Sequence, residues 1–319
     1  MTDRNETVPP IDAHGVVATE TYRRSRGLWR GLAFIALALA VLALAGRFAW
    51  PNSPTGDHIA RLIVDGTIAT DPDRLEAIQA LADDPSVKAV IVAINSPGGT
   101  TAGGEELYEA LGQLRAKKPV VAVIKELGAS AAYMTAIATD RIFARRLSIV
   151  GSIGVLYQHI NAGKLLDTVG IGLDKVASGP LKAEPDINEP MTGAPRASIA
   201  ALVDDSFQWF VDIVAERRGL NRPDALALAD GRIVTGRVGI TTRLIDQIGG
   251  ELEAVNWLES DRQLPTGLKV ITAYPHPDQG LGWIGNFMNG QARSVLGLPA
   301  SGPITLDGLV SLWQVGTAL

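Results

Sequence analysis

Val87–Ile94, VKAVIVAI, has one charged residue in eight and no polar face. A strand of that kind has to be buried on both faces, which requires a sheet covered by helices on either side. The flanking chain supplies both kinds of element. Ile59–Val64 reads as a strand, and Asp71–Ala82 as a helix with Leu75, Ile78 and Ala82 on one side. A second helix falls near Gly103–Leu114 and a further strand at Val120–Ile124. Leu127–Ala144 then reads as a tight turn, a buried helix carrying Tyr133, Met134, Ile137 and Ala138, and a strand at Ile142–Ala144. This βαβαβα order predicts an α/β fold with a mostly parallel sheet. Ligands in such sheets bind at the carboxyl ends of strands. The loop after Ile94 and the turn holding Ser130 both follow strands, so they can meet at one edge.

Leu147–Met191 is loop-rich, with a helix expected at Gly163–Val169 and a strand near Leu173–Ala177. Residues 196–218 give the clearest helix, with Ile199, Leu202, Val203, Phe207, Phe210, Val211 and Val214 on one stripe. A shorter helix near Asp224–Ala229 follows. The last sixty residues mix glycine, proline and isolated apolar clusters, and no role is assigned to them.

The N-terminal part has a different character. Residues 1–27 are polar, lack apolar periodicity and read as a disordered tail. Arg23, Arg24, Arg26 and Arg30 precede Gly31–Gly46, which has no polar side chain. Extended to residues 28–50, with Trp29 and Trp50 at its ends, it is long enough to serve as a transmembrane helix. The excess of arginine before it places the N-terminus in the cytoplasm and the rest of the chain outside. The competing reading is a signal peptide cleaved after Ala43-Leu44-Ala45. Residues 51–57 form a linker, 58–260 the main folded domain and 261–319 an extension.

Composition excludes several kinds of chemistry. The chain has no cysteine, so disulfides, thiolate catalysis and cysteine metal sites are ruled out. Its four histidines show no HxxxH or HExxH spacing, and no metal or cofactor is expected. A net charge of −5 does not favour nucleic acid.

Ser130 falls at the start of a helix, where free amides and the helix dipole would stabilise an oxyanion. The plain alternative is an N-cap. Asn95–Gly99, NSPGG, reads as a turn that exposes backbone amides in conformations suited to glycine, and such amides form an anion hole. No Gly-Lys-Ser/Thr follows, so a phosphate loop fits less well. Ser96 and Ser152 are the other candidate nucleophiles. An activated serine also needs a base. Of the histidines only His159 is suitably placed. Lys182 could serve if it were neutral, although most lysines in loops are simply solvated.

NSPGG at 95–99, GASAAY at 128–133, ATDRIFA at 138–144, GSIGV at 151–155, SGPLK at 178–182 and GRIVTG at 231–236 occur in one order. In that order and spacing the chain resembles the bacterial signal peptide peptidase A family over roughly residues 58–260. The resemblance implies a Clp protease/crotonase-like fold and a Ser–Lys dyad with Ser130 as nucleophile and Lys182 as base. It also implies an oxyanion hole from Gly98 or Gly99 and the amide of Ala131, and rings in which serine and lysine come from adjacent subunits. The family usually has two glycines where this chain has Ala131 and Ala132.

The activity so implied is a serine endopeptidase of the bacterial inner membrane. Its catalytic domain lies outside the cytoplasm, and it cleaves short apolar peptides such as released signal peptides. A protease trimming one membrane partner, and an inactive anchored scaffold of the same fold, are the alternatives. An acyl-CoA enzyme shares the fold, but an external domain would not meet CoA.

Overall fold

The structure is a computed structural model and describes residues 29–41, 56–275 and 310–312. The chain divides into two compact units. The described part of the first is a helix, α1, over residues 29–41, exposed along its length. No helix among the described residues is long and apolar enough to cross a membrane. Of the expected span, residue 28 and residues 42–50 lie outside the described residues, as do the tail at 1–27 and most of the linker.

The second unit opens with β1 (His58–Ile68), α2 (Pro72–Asp83), β2 (Val87–Thr100), α3 (Thr101–Lys117) and β3 (Val120–Ala129). Asp71 caps α2, its side chain accepting the Arg74 amide at 3.1 Å, with Pro72 in the first turn. Thr100 caps α3 in the same way, at 3.0 Å from the Gly103 amide. Next come α4 (Ala131–Ile137), β4 (Arg141–Ala144), β5 (Ile149–Gly151) and α5 (Gly163–Thr168). The long helix α6 (Gly193–Arg218) ends on Gly219, whose φ of 58° is the left-handed C-cap geometry glycine favours. The unit continues with α7 (Arg222–Ala227), β6 (Ile233–Thr235), α8 (Gly236–Thr241), β7 (Gln247–Ile248) and α9 (Glu251–Ser260). Its last described strands are β8 (Lys269–Tyr274) and β9 (Val310–Leu312).

All these strands join one sheet, whose main path runs β6-β5-β3-β2-β1-β8. The central pairs are parallel, as the sequence predicts, with Leu62 opposite Val92, Ile94 opposite Ile124 and Ser96 opposite Gly128. Antiparallel pairing is confined to β5–β6 and β2–β9. Two strands, β8 and β9, come from the segment after residue 260.

Val87–Ile94 is buried on both faces. Val90, Val92 and Ile94 pack under α2, α3, α4 and α6, whereas Ala89 and Ile91 face Ala254 and Leu258 of α9. Two expectations fail. Leu173–Ala177 forms no strand, and Leu173 and Val176 stand exposed. NSPGG is not a turn, because β2 stays extended through it to Thr100.

Candidate active site

Ser130 joins β3 to α4 with φ 60° and ψ −122°. Side chains other than hydrogen rarely adopt that backbone, and holding it costs on the order of 1–3 kcal/mol. The neighbours impose it. The Ser130 amide donates to the Gly151 carbonyl of β5 at 2.8 Å, and the Ser130 carbonyl accepts from Tyr133 and Met134 at 2.8 and 3.0 Å. The residue is therefore pinned on both sides. It is only 1% exposed. It occupies the cap position yet makes no side-chain cap bond, so the plain N-cap reading does not hold.

One turn on, the Tyr133 hydroxyl donates to the Leu244 carbonyl at 2.8 Å, which ties α4 to the segment before β7. Burial holds that phenol far above its ordinary titration range. The same segment is fixed by Asp246, which accepts from the Ile142 amide at 2.8 Å and from Arg218 at 2.6 Å. Burial works most strongly against the Arg218 charge, but the Asp246 hydrogen bond, together with the attraction of Tyr133 and Asp246, outweighs it and the guanidinium is held above its ordinary range.

The carbonyls of α4 begin with Ser130, so the amides of Ala131 and Ala132 have no partner within the helix. Both alanines are fully buried. Room for Ala131 comes from α3, since a Cβ added at Gly104 would lie 3.0 Å from the Ala131 methyl and 2.8 Å from the Met134 sulfur.

The glycine strand runs beside this turn. β2 and β3 pair up to Ser96 and Gly128 and then diverge, leaving Gly98 and Gly99 on the Ser130 side of β2. Gly98 has φ 106°, open to glycine, and its amide donates to the Ser96 hydroxyl at 3.1 Å. Gly99 is glycine for a different reason. A Cβ there would sit 1.7 Å from the Ile68 carbonyl oxygen of the adjoining strand. Ser96 is wholly buried and orients Gly98, a structural task. Ser152 is also buried, with its amide bonded to the Arg232 carbonyl at 2.8 Å.

Lys182 lies apart from this core. It sits on an exposed turn whose amide donates to the Gly179 carbonyl at 3.1 Å, and none of the described residues buries it. The turn is held by its neighbours. Lys175 lies 2.5 Å from both Glu184 and Asp186, and the Ala162 amide donates to Ile187 at 2.7 Å. His159 is part of the same scaffold, with Nε2 3.0 Å from the Glu189 carbonyl. Glu184, Asp186 and Glu189 bring three carboxylates together, but Lys175 neutralises two of them and the group reads as a loop clamp rather than a metal site. Sequence reasoning missed Lys175, Gly151 and Asp246. Only GSIGV carried a signal, and it marks the carbonyl that anchors Ser130.

A strained serine between strand and buried helix, flanked by helix amides without intrahelical partners and by a glycine strand, defines a serine hydrolase of the acyl-transfer kind. The profile of peptidase family S49 matches residues 112–265, a stretch that holds both Ser130 and Lys182. A protein of Synechocystis sp. described as a candidate protease is 35% identical over 211 residues, covering 65% of this chain and 76% of that one. One of Enterococcus faecium, described as a candidate signal peptide peptidase SppA, is 28% identical across 66% of this chain and 62% of its own. The chloroplastic serine protease SPPA of Arabidopsis thaliana is 27% identical, over 74% of this chain and 34% of that protein. The chain belongs to peptidase family S49 and is a serine peptidase. Among solved structures, a single-residue mutant of ClpP1 from Listeria monocytogenes is similar over 60% of this chain and 91% of its own, with 14% identity and a TM-score of 0.39.

Proposed function

We propose that the protein is a membrane-anchored endopeptidase of Clp protease/crotonase-like fold. It hydrolyses short apolar peptides, released signal peptides among them, with Ser130 as nucleophile and Lys182 as base. The observation that carries this reading is the backbone of Ser130, pinned at φ 60° beside Gly98 and Gly99 and not used as a cap. A peptide entering between β2 and the Ser130 turn would extend the sheet by one antiparallel strand. Its scissile carbonyl would meet the Ser130 hydroxyl. The negative charge developing on the carbonyl oxygen would be held by the Ala131 amide and by the Gly98–Gly99 backbone.

Lys182 has to accept the serine proton and then pass it to the leaving amine. Lys182 is exposed among the described residues, so the role requires that another surface cover it. Support comes from the row of exposed apolar side chains on the same section, among them Ile160, Leu165, Val169, Val176 and Ile187. Exposed apolar side chains gathered on one section of the chain favour packing against another surface. A second copy of the chain packed there would dry the Lys182 amine and bring it to a neighbour's Ser130. The residues 28–50 anchor would keep such an oligomer beside the bilayer, where apolar peptides are concentrated.

Labelling by a fluorophosphonate tests the nucleophile. Wild type is expected to label on Ser130 and Ser130→Ala to lose both labelling and hydrolysis, whereas labelling that persists in Ser130→Ala refutes the assignment. Mixing Ser130→Ala with Lys182→Ala chains under subunit exchange tests the shared site. Activity should return to a measurable fraction of wild type, and an assembled but inactive mixture would place both residues in one subunit. Protease added to spheroplasts should reach the catalytic domain and spare residues 1–27. A mature chain starting at Gly46 would replace the anchor with a cleaved signal peptide.

A further inference from the structure

β3 leaves β2 after the Ser96–Gly128 pair and continues beside β5. β2 runs on through Gly98, Gly99 and Thr100, still paired on its other side with Thr67 and Ile68 of β1. The edge vacated by β3 is therefore the one next to the Ser130 turn. It is a strand-wide opening lined on one side by the backbone assigned above to the oxyanion hole. Within the same compact unit, β9 occupies it. Leu312 is paired with Gly98, Ser311 with Gly99 and Val310 with Thr100, antiparallel. An extended peptide substrate would use the same edge and the same backbone groups.

We propose that Val310–Leu312 is an internal competitor for peptide, lying in the substrate slot and yielding it when a substrate binds. This rests on the reading of that edge as the peptide slot. The β9 pairing spans three residues, so its intrinsic affinity is weak. Being part of the same chain, however, it acts at an effective concentration on the order of millimolar. A competitor of that kind raises the apparent KM and leaves kcat unchanged. For a dissociation constant between about 0.1 and 0.5 mM the effect on kcat/KM is roughly three- to tenfold.

The chain has no cysteine, so a single engineered pair reports cleanly. Register-opposed residues of an antiparallel pair have Cα atoms about 4.5–5.5 Å apart, within the range a disulfide spans. Full-length Thr100→Cys/Val310→Cys is expected to form an intrachain disulfide on mild oxidation, and each single-cysteine chain to show which cross-links form only between chains. Hydrolysis of a short apolar reporter peptide should fall at least tenfold in the oxidised Thr100→Cys/Val310→Cys chain and recover on reduction. Ser311→Pro removes a strand amide without shortening the chain, and should raise kcat/KM three- to tenfold at unchanged kcat.

Failure of the disulfide, or a cross-link only between chains, overturns the proposal whatever the activity. A disulfide that forms while hydrolysis and the Ser311→Pro kinetics stay unchanged overturns the competition. If the reduced chain neither hydrolyses peptide nor takes a fluorophosphonate on Ser130, the active-site assignment fails and the competition falls with it. In that case the disulfide has still fixed where the strand lies.

Discussion

Replacing Ser130 by glycine should abolish hydrolysis and yet be far gentler on stability than its burial suggests. A buried alanine in helical conformation, such as Ala136 of α4, makes the comparison. Changing it to glycine costs about 0.5–1 kcal/mol in backbone entropy and about 0.8 kcal/mol for the lost methyl, roughly 1.5 kcal/mol together. Position 130 loses the same two terms when alanine becomes glycine there. Its φ of 60° adds a third, because glycine releases backbone strain of about 1–3 kcal/mol that alanine has to carry. The two alanine-to-glycine steps should therefore differ by about 2 kcal/mol. For a domain of this size that is about 4–8 °C in Tm.

The assay is thermal unfolding of three chains: Ser130→Ala, Ser130→Gly and Ser130→Ala/Ala136→Gly. All three lack the hydroxyl, so any bond it makes cancels. Ser130→Gly should melt within a degree or two of Ser130→Ala or above it, and the double variant several degrees below. If Ser130→Gly drops as far as the double variant, the turn is not strained and the account of its pinning by Gly151, Tyr133 and Met134 is wrong.

Lys182→Arg should be inactive, since a guanidinium keeps its proton and cannot take over the role of the base. Wild-type turnover in Lys182→Arg would pass the base role to another group. Gly99→Ala places a methyl on the Ile68 carbonyl oxygen, so the soluble yield should collapse or β2 be forced from β1, and a folded, active variant would refute the close approach. Asp246→Ala strands the buried Arg218 charge and the Ile142 amide, and should cost about 2 kcal/mol in denaturant unfolding. A change below about 0.5 kcal/mol would show that the pair is solvated. Loss of the Asp71 carboxylate has a defined pH dependence. Although burial favours its protonated form, hydrogen bonds from Tyr274 and the Arg74 amide hold the carboxyl below its ordinary range, so its stabilising effect is present above that range. The effect is lost as pH falls through the folded titration. The Tm gap between wild type and Asp71→Asn should thus close in acid, and a gap independent of pH would remove the carboxylate from the account.

The parallel core was legible because its signals are local and strong. Val87–Ile94 and Val120–Ile124 have no polar face, and helices capped by Asp71 and closed by Gly219 announce their ends. Ser130 was legible as a position, but its strain was not, since φ is imposed by the Gly151 carbonyl from another strand. NSPGG was misread for a related reason. Pro-Gly-Gly has the composition of a turn, and only the Ile68 carbonyl pressing on Gly99 shows that the glycines serve a close strand pair. Leu173 and Val176 gave the opposite error, for a strand-like pattern needs a partner strand and none of the described strands pairs with them. Lys182 could be named from a motif, but among the described residues it stands exposed, and no local pattern in the sequence tells what would cover it.

The divergence of β2 from β3 also bears on solubility. Between Ser96 and Thr100 the edge that β3 leaves is closed, among the described residues, only by the three of β9, so its ladder groups are exposed whenever that short strand lifts away. Those groups accept any extended backbone, with little regard to sequence, which is useful for handling varied peptides. The same property makes the edge adhesive toward other unfolded chains and toward copies of itself. A protein with this opening left uncovered would be expected to precipitate at concentrations its surface charge alone would tolerate, and its handling in the laboratory should improve with any strand that fills the gap.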